Sequence, residues 1–214
     1  MDVTSYLLGK KSSGGGGGVD EYFTDVTTTT NDSIIKTLIK KIPAFKLGTN
    51  VIELSGAFRN YTELVSAPII TNISQATIIS NMFAGCTKLV DVPNYNTSNA
   101  TNMSSMFDGC SSLETAPQLD TSKVTNMANM YNYCSELKNV PQYNFESATS
   151  MTNMFRYCNK LTDQSIDNIL ASCIGAVNYA DTKTLRRIGI ISYSSSRIQA
   201  LPHYQAFVNA GWSL

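Results

Sequence analysis

Charge is scarce in this chain, and what there is cancels. Charged residues are 15% of the 214, with 16 basic against 16 acidic, for a formal net charge of zero. Nothing in that balance would draw the chain to a phosphate backbone or an anionic bilayer, so neither nucleic acid nor membrane is expected as a partner. There is no run of 18 apolar residues, which argues against a membrane-spanning helix. Met1–Lys10 lacks the basic start and long apolar stretch of a signal peptide. The expectation is synthesis in a reducing cytoplasm and, for an exported product, release inside a particle. The one histidine, His203, follows Pro202, and the sequence assigns it no base or nucleophile partner. Gly14–Gly18 has no Lys-Ser/Thr of a phosphate loop. Asp91, Asp120, Asp163 and Asp167 lack calcium-loop spacing. The expectation is therefore no catalytic residue, no metal, no cofactor, and no enzyme.

What is present is a repeat. Met103–Cys110, Met127–Cys134 and Met151–Cys158 are copies in strict 24-residue register, Ile79–Cys86 is a fourth, and Leu54–Tyr61 is a weaker one before them. A fixed period in the twenties means stacked supersecondary units that bury a shared core. Within a copy, Met127, Met130, Tyr131 and Cys134 fall at i, i+3, i+4 and i+7, which predicts one face of a two-turn helix. Thr77, Thr101, Thr125 and Thr149 sit two residues before each such segment, where a threonine would cap it. Leu113, Ala116 and Leu119, matched by Leu89, Val92 and Tyr95 and by Leu137, Val140 and Tyr143, predict a short extended segment holding one proline per copy. Strands spaced about 4.8 Å and helices spaced about 8–10 Å would curve the stack with strands on the concave side.

Five cysteines do not imply disulfides here. Cys86, Cys110, Cys134 and Cys158 recur once per copy, without the short pairs of a zinc site. They are read as free, buried thiols on helices too far apart to bridge, and the Met columns as core.

The chain divides into residues 1–18, an arm and glycine linker; 19–53, an N-terminal cap with a helix over Ile34–Ile39; 54–161, the repeats; and 162–214, a helical C-terminal cap. In that last cap Thr162 and Ser194 are cap signals, and Ile188–Ile191 is an extended segment. Val3, Tyr6, Leu7 and Leu8 give the arm an apolar cluster, read as a peptide docking on a partner.

The pattern in which Leu113, Pro117, Asp120–Ser122, Thr125–Met127, Met130-Tyr131 and Cys134 recur resembles the BspA-like leucine-rich repeats of bacteria and their viruses. It departs from the family at Tyr131, where Phe is usual, and at Phe145-Glu146, where Thr-Ser is usual. The resemblance implies an α/β fold, a curved right-handed solenoid of about five coils used in adhesion. The start Met1–Lys11 ahead of the glycines resembles the opening of phage and prophage structural proteins of gut bacteria, and the ending Thr182–Leu185 with Tyr204–Trp212 resembles the cap that follows such repeats in them. The expected function is host recognition as a virion tail or fibre protein, with residues 1–13 bound to other virion proteins. The ligand would be a host surface protein or glycan. Alternatives are a virion spacer or decoration, or a bacterial surface adhesin. A homo-oligomer is allowed, although no heptad repeat enforces one. The expected ligand face is the concave strand face, at its outward positions: Asp91, Asn94 and Asn96; Thr115, Gln118 and Asp120; Asn139, Gln142 and Asn144.

Overall fold

The computed structural model describes residues 22–23, 40–42, 44–47, 51–179, 183–184, 186–190 and 192–214. The docking arm with Val3, Tyr6, Leu7 and Leu8, the glycine linker and the expected helix over Ile34–Ile39 lie outside the described residues. The described chain begins with a parallel three-stranded sheet, β1 (Tyr22–Phe23), β2 (Phe45–Leu47) and β3 (Ile70–Thr71), in which Tyr22 pairs with Lys46 and Phe45 with Ile70.

From residue 51 onward, coils are stitched to coils. Parallel bridges join Glu53 to Ile78, Ile78 to Asn102, Asn102 to Asn126 and Asn126 to Ser150. A second set joins Ser66 to Asp91 and Thr115 to Asn139. The extended segments therefore pair through single bridges rather than continuous strands.

The expected helices are not there. Between Met127 and Cys134 the chain runs as consecutive turns over Ala128–Tyr133. The N–H groups of Met127, Asn129, Tyr131 and Tyr133 donate to Ser150, Thr152, Met154 and Arg156 of the next coil. The intervening Met130, Asn132 and Cys134 donate three residues back. A helix would have used all these donors internally and left the next coil unbonded. Threonine is not a helix cap here either. Thr101, Thr125 and Thr149 each donate both N–H and Oγ1 to the carbonyl of the threonine one coil before. Hydrogen bonds therefore join the coils on this side too.

Burial explains the period. Five positions per copy are at most 3% exposed in every copy: the columns starting at Leu54, Ala57, Phe58, Tyr61 and Leu64. Fully burying one such Leu, Met or Phe stabilises by about 1.5–3 kcal/mol. Phe58, Phe83, Phe107, Tyr131 and Phe155 stack ring on ring, with centroids 5.3, 5.8, 5.3 and 5.7 Å apart. The thiols are free and buried, but not because helices hold them apart. In-register coils keep Cβ atoms near the ladder spacing of about 4.8 Å, beyond the 3.5–4.5 Å of a disulfide. Each sulfur instead donates to a carbonyl of the preceding coil: Cys86 to Phe58, Cys110 to Phe83, Cys134 to Phe107 and Cys158 to Tyr131.

The far end is closed by α1 (Asp163–Ile174), α2 (Ser195–Gln199) and α3 (Tyr204–Asn209). Thr162 caps α1 through the Ser165 N–H, and Ser194 caps α2. Of the expected extended segment Ile188–Ile191, Ile188 and Gly189 belong to a turn over residues 186–189, and Ile191 lies outside the described residues. Asn153 and Phe155 donate to Arg187 and Ile188.

Candidate functional site

All nine residues of the expected ligand face are exposed. They are set by the alternation of the extended segments. Val92, Ala116 and Val140 point toward the core, and so do Tyr95, Leu119 and Tyr143. Two of these tyrosines also lock neighbouring coils: Tyr95 donates to the Pro68 carbonyl at 2.6 Å and Tyr143 to Pro117 at 2.8 Å. Burial drives both phenols well above the ordinary tyrosine range.

The nine form three columns with different duties. In the first, Asp91, Thr115 and Asn139 sit at the coil-to-coil bridges, and the Asn139 amide donates to Thr115 Oγ1 at 3.2 Å. In the third, the side chains fold back on their own turns. Asn96 accepts from the Ser98 N–H, Asp120 from the N–H and hydroxyl of Ser122, and Asn144 from the Glu146 N–H. The Ser122 hydroxyl and N–H hold the Asp120 carboxyl below its usual range. This column shapes turns and has little left for a ligand. In the second column Asn94 Oδ1 accepts from the Gln118 N–H at 2.8 Å, while the Gln118 and Gln142 side chains make no hydrogen bond to a described residue. The unspent capacity lies there.

The sequence reading missed the end of that column. One coil before Asn94 stands Ile69, 60% exposed. Ile69 opens a shallow depression of about 240 Å³, lined by Ile70, Asn72, Ile73, Pro93 and the expected residues Asn94 and Asn96. Its only sequence signal is the Ile69-Ile70 pair, which interrupts polar–apolar alternation. The face thus runs from an apolar step at Ile69 through Asn94 to Gln118 and Gln142.

Elsewhere, His203 does have a carboxylate: its ring Nδ1 lies 2.8 Å from Asp167 Oδ2, and its N–H donates to Oδ1 of the same group. This pair ties the start of α3 to buried Asp167 of α1. Among the described residues no three His, Cys, Asp or Glu side chains gather as a metal site, and no helix is long and apolar enough to cross a membrane.

No curated protein matches the chain, and no solved structure does. A family model does match, over residues 52–169, which are the stacked coils and the first half of α1. That match spans more than half of the chain, and the chain belongs to the family described as Mycoplasma protein of unknown function, DUF285.

Proposed function

We propose that this chain is a non-enzymatic recognition module, a right-handed solenoid of the BspA-like leucine-rich-repeat kind. It serves as a tail or fibre protein of a bacteriophage virion and binds a host surface protein or glycan. The solenoid reading is supported by backbone bonds that recur between coils at separations of 23–25 residues from Leu54 to Arg156. The recognition reading rests on one observation above the others. The second column presents the unbonded amides of Gln118 and Gln142 in line with Asn94 and the exposed Ile69, on a backbone bridged at Ser66–Asp91 and Thr115–Asn139. Amides offer donors and acceptors to hydroxyls or to a peptide backbone, and a rigid scaffold limits the entropy lost on binding. The virion setting is supported by the resemblance of the chain's ends and repeats to phage structural proteins.

The test is binding of the fluorescently labelled full chain to a panel of gut bacteria and their purified surface glycans. The expected result is saturable, strain-selective binding, lost when Asn94, Gln118 and Gln142 are changed to Ala. These side chains are exposed, and the one hydrogen bond lost is that from the Gln118 N–H to Asn94 Oδ1, so the triple variant should keep its fold. Absence of binding to every strain would overturn host recognition and favour a spacer or decoration.

A further inference from the structure

One surface column breaks a backbone rule twice. Asn60, Gly85, Gly109, Tyr133 and Tyr157 occupy equivalent places in successive coils, and all have positive φ: 65°, 76°, 75°, 58° and 65°. Glycine suits that conformation, and asparagine tolerates it. Tyrosine does not, yet two consecutive coils carry one. Tyr133 is 53% exposed, so core packing does not explain it. Strain held at an exposed aromatic is a reason to look for a ligand.

The two rings stack at 4.4 Å with 23° between planes. Behind them, the Arg156 guanidinium lies 4.8 Å from the Tyr157 ring centre and donates to its hydroxyl. One face of Tyr133 is thus covered and its orientation fixed. The other face looks along the stack toward Gly109 and Gly85, which have no side chains. A Cβ built on Gly109 would meet only the Gly85 backbone, at 3.6 Å, so the space above it is open. Above Gly85 the slot closes. Asn60 Oδ1 stands 2.4 Å from where a Gly85 Cβ would be. Asn60 is three coils from Tyr133, but its carboxamide leans over Gly85, which is two coils from Tyr133, about 10 Å at ladder spacing. A saturated six-membered ring stacked on Tyr133 at about 4 Å lies over Gly109 and leaves room on the Asn60 side for its exocyclic hydroxyls.

We infer that the slot between Tyr133 and Asn60, floored by Gly109 and Gly85, binds one neutral pyranose ring of a glycan. The C–H face of a sugar carries partial positive charge and meets the negative face of the tyrosine ring. Its hydroxyls meet the Asn60 carboxamide, which makes no hydrogen bond to a described residue. The chain's zero net charge suits an uncharged ligand. This inference deepens the recognition reading toward glycans but uses a surface separate from the Asn94–Gln142 column.

The full chain is applied to an array of neutral oligosaccharides of glucose, galactose, mannose and N-acetylglucosamine, with hits confirmed by saturation-transfer NMR. Wild type should bind a subset of them. Tyr133→Gly restores the residue that earlier coils use and should weaken binding about tenfold or more, the loss expected of one stacking partner. Tyr133→Phe should keep it. Gly109→Asn, compatible with positive φ, should block the slot. Array silence from wild type, or binding unchanged by Tyr133→Gly and Gly109→Asn, overturns the slot. Cell binding lost in the Asn94/Gln118/Gln142 variant but intact in Tyr133→Gly would sink the slot and leave the recognition reading standing. Array binding without cell binding would do the reverse.

Discussion

Two glycines separate the cost of conformation from the cost of contact. Gly189 has φ +96°, and a Cβ there would lie 2.4 Å from Arg156 N and 2.7 Å from its Cα. Those are backbone atoms of the last coil and cannot move aside. Gly211 has φ +86° but nothing within 4 Å of its would-be Cβ. Gly211→Ala should therefore cost only the strain of the left-handed conformation, about 1 kcal/mol. Gly189→Ala adds overlap with backbone and should cost about 3 kcal/mol or more, or detach the C-terminal cap. Urea unfolding of both variants compares them directly, and equal losses would refute the contact argument. The same reasoning predicts that Tyr133→Gly is more stable than Tyr133→Ala by about 1 kcal/mol, since both lose the ring stack and only alanine keeps the strain. Equal urea midpoints would argue against strain at that column.

A coil of 24 residues is the element of this fold, and its length is what the sequence made plain. Leu, Met, Phe and Cys recur because each occupies the same buried column, so the period, the core and the free thiols were all readable. The helix was not, and the reason is local. The spacing of Met127, Met130, Tyr131 and Cys134 suits one face of a helix, but successive turns can bury the same positions. The contrary signal sits between them. Asn81, Ser105, Asn129 and Asn153, followed four residues later by Gly85, Gly109, Tyr133 and Tyr157, all take positive φ. Asn and Gly columns inside a presumed helix mark a backbone that leaves the helical region twice per coil. Of the candidate face, its exposure was legible from alternation. The split between turn-forming and unbonded amides was not, because it depends on which N–H each side chain reaches. If the coil is the unit, excising residues 111–134 joins Cys110 to Ser135 in register and leaves a folded, shorter chain. It should unfold cooperatively with a smaller denaturant slope, in keeping with its smaller buried surface. Excising 111–130 instead breaks every column and should leave a chain without a cooperative transition. Circular dichroism during urea titration distinguishes the two, and similar curves would mean the register does not govern stability.

Across the whole molecule the repeat lines up groups that ionise at alkaline pH and hides them from water. Burial pushes the Cys86 and Cys158 thiols up to about 12, and Cys110, Cys134 and Cys173 are raised as well. The stacked phenols Tyr95, Tyr131 and Tyr143 are raised in the same way by burial. In the unfolded chain these groups lose protons at ordinary values, near 9 for thiols and 10 for phenols. The sign follows from linkage. Because the folded values are raised, the stability is fully present below pH 9 and is lost as pH climbs from there toward about 12. Each thiol costs about 1.4 kcal/mol per pH unit inside that window. Five thiols acting together would remove about 7 kcal/mol within one unit, a sum comparable to the whole stability of a domain. The chain should hold its fold at pH 8 and unfold steeply between about pH 10 and 11, with thiols inert to alkylation until it does. Replacing Cys134, which is buried to 0% exposure, by Ala should move the midpoint upward once the cost of the replacement at neutral pH is subtracted. That variant removes one proton from the transition while the remaining thiols keep theirs. Circular dichroism against pH, with alkylation followed in parallel, reads both quantities. Thiols that react at pH 8 in the folded chain, or a transition no steeper than one proton, would mean that the buried columns do not govern the response of the molecule to alkali.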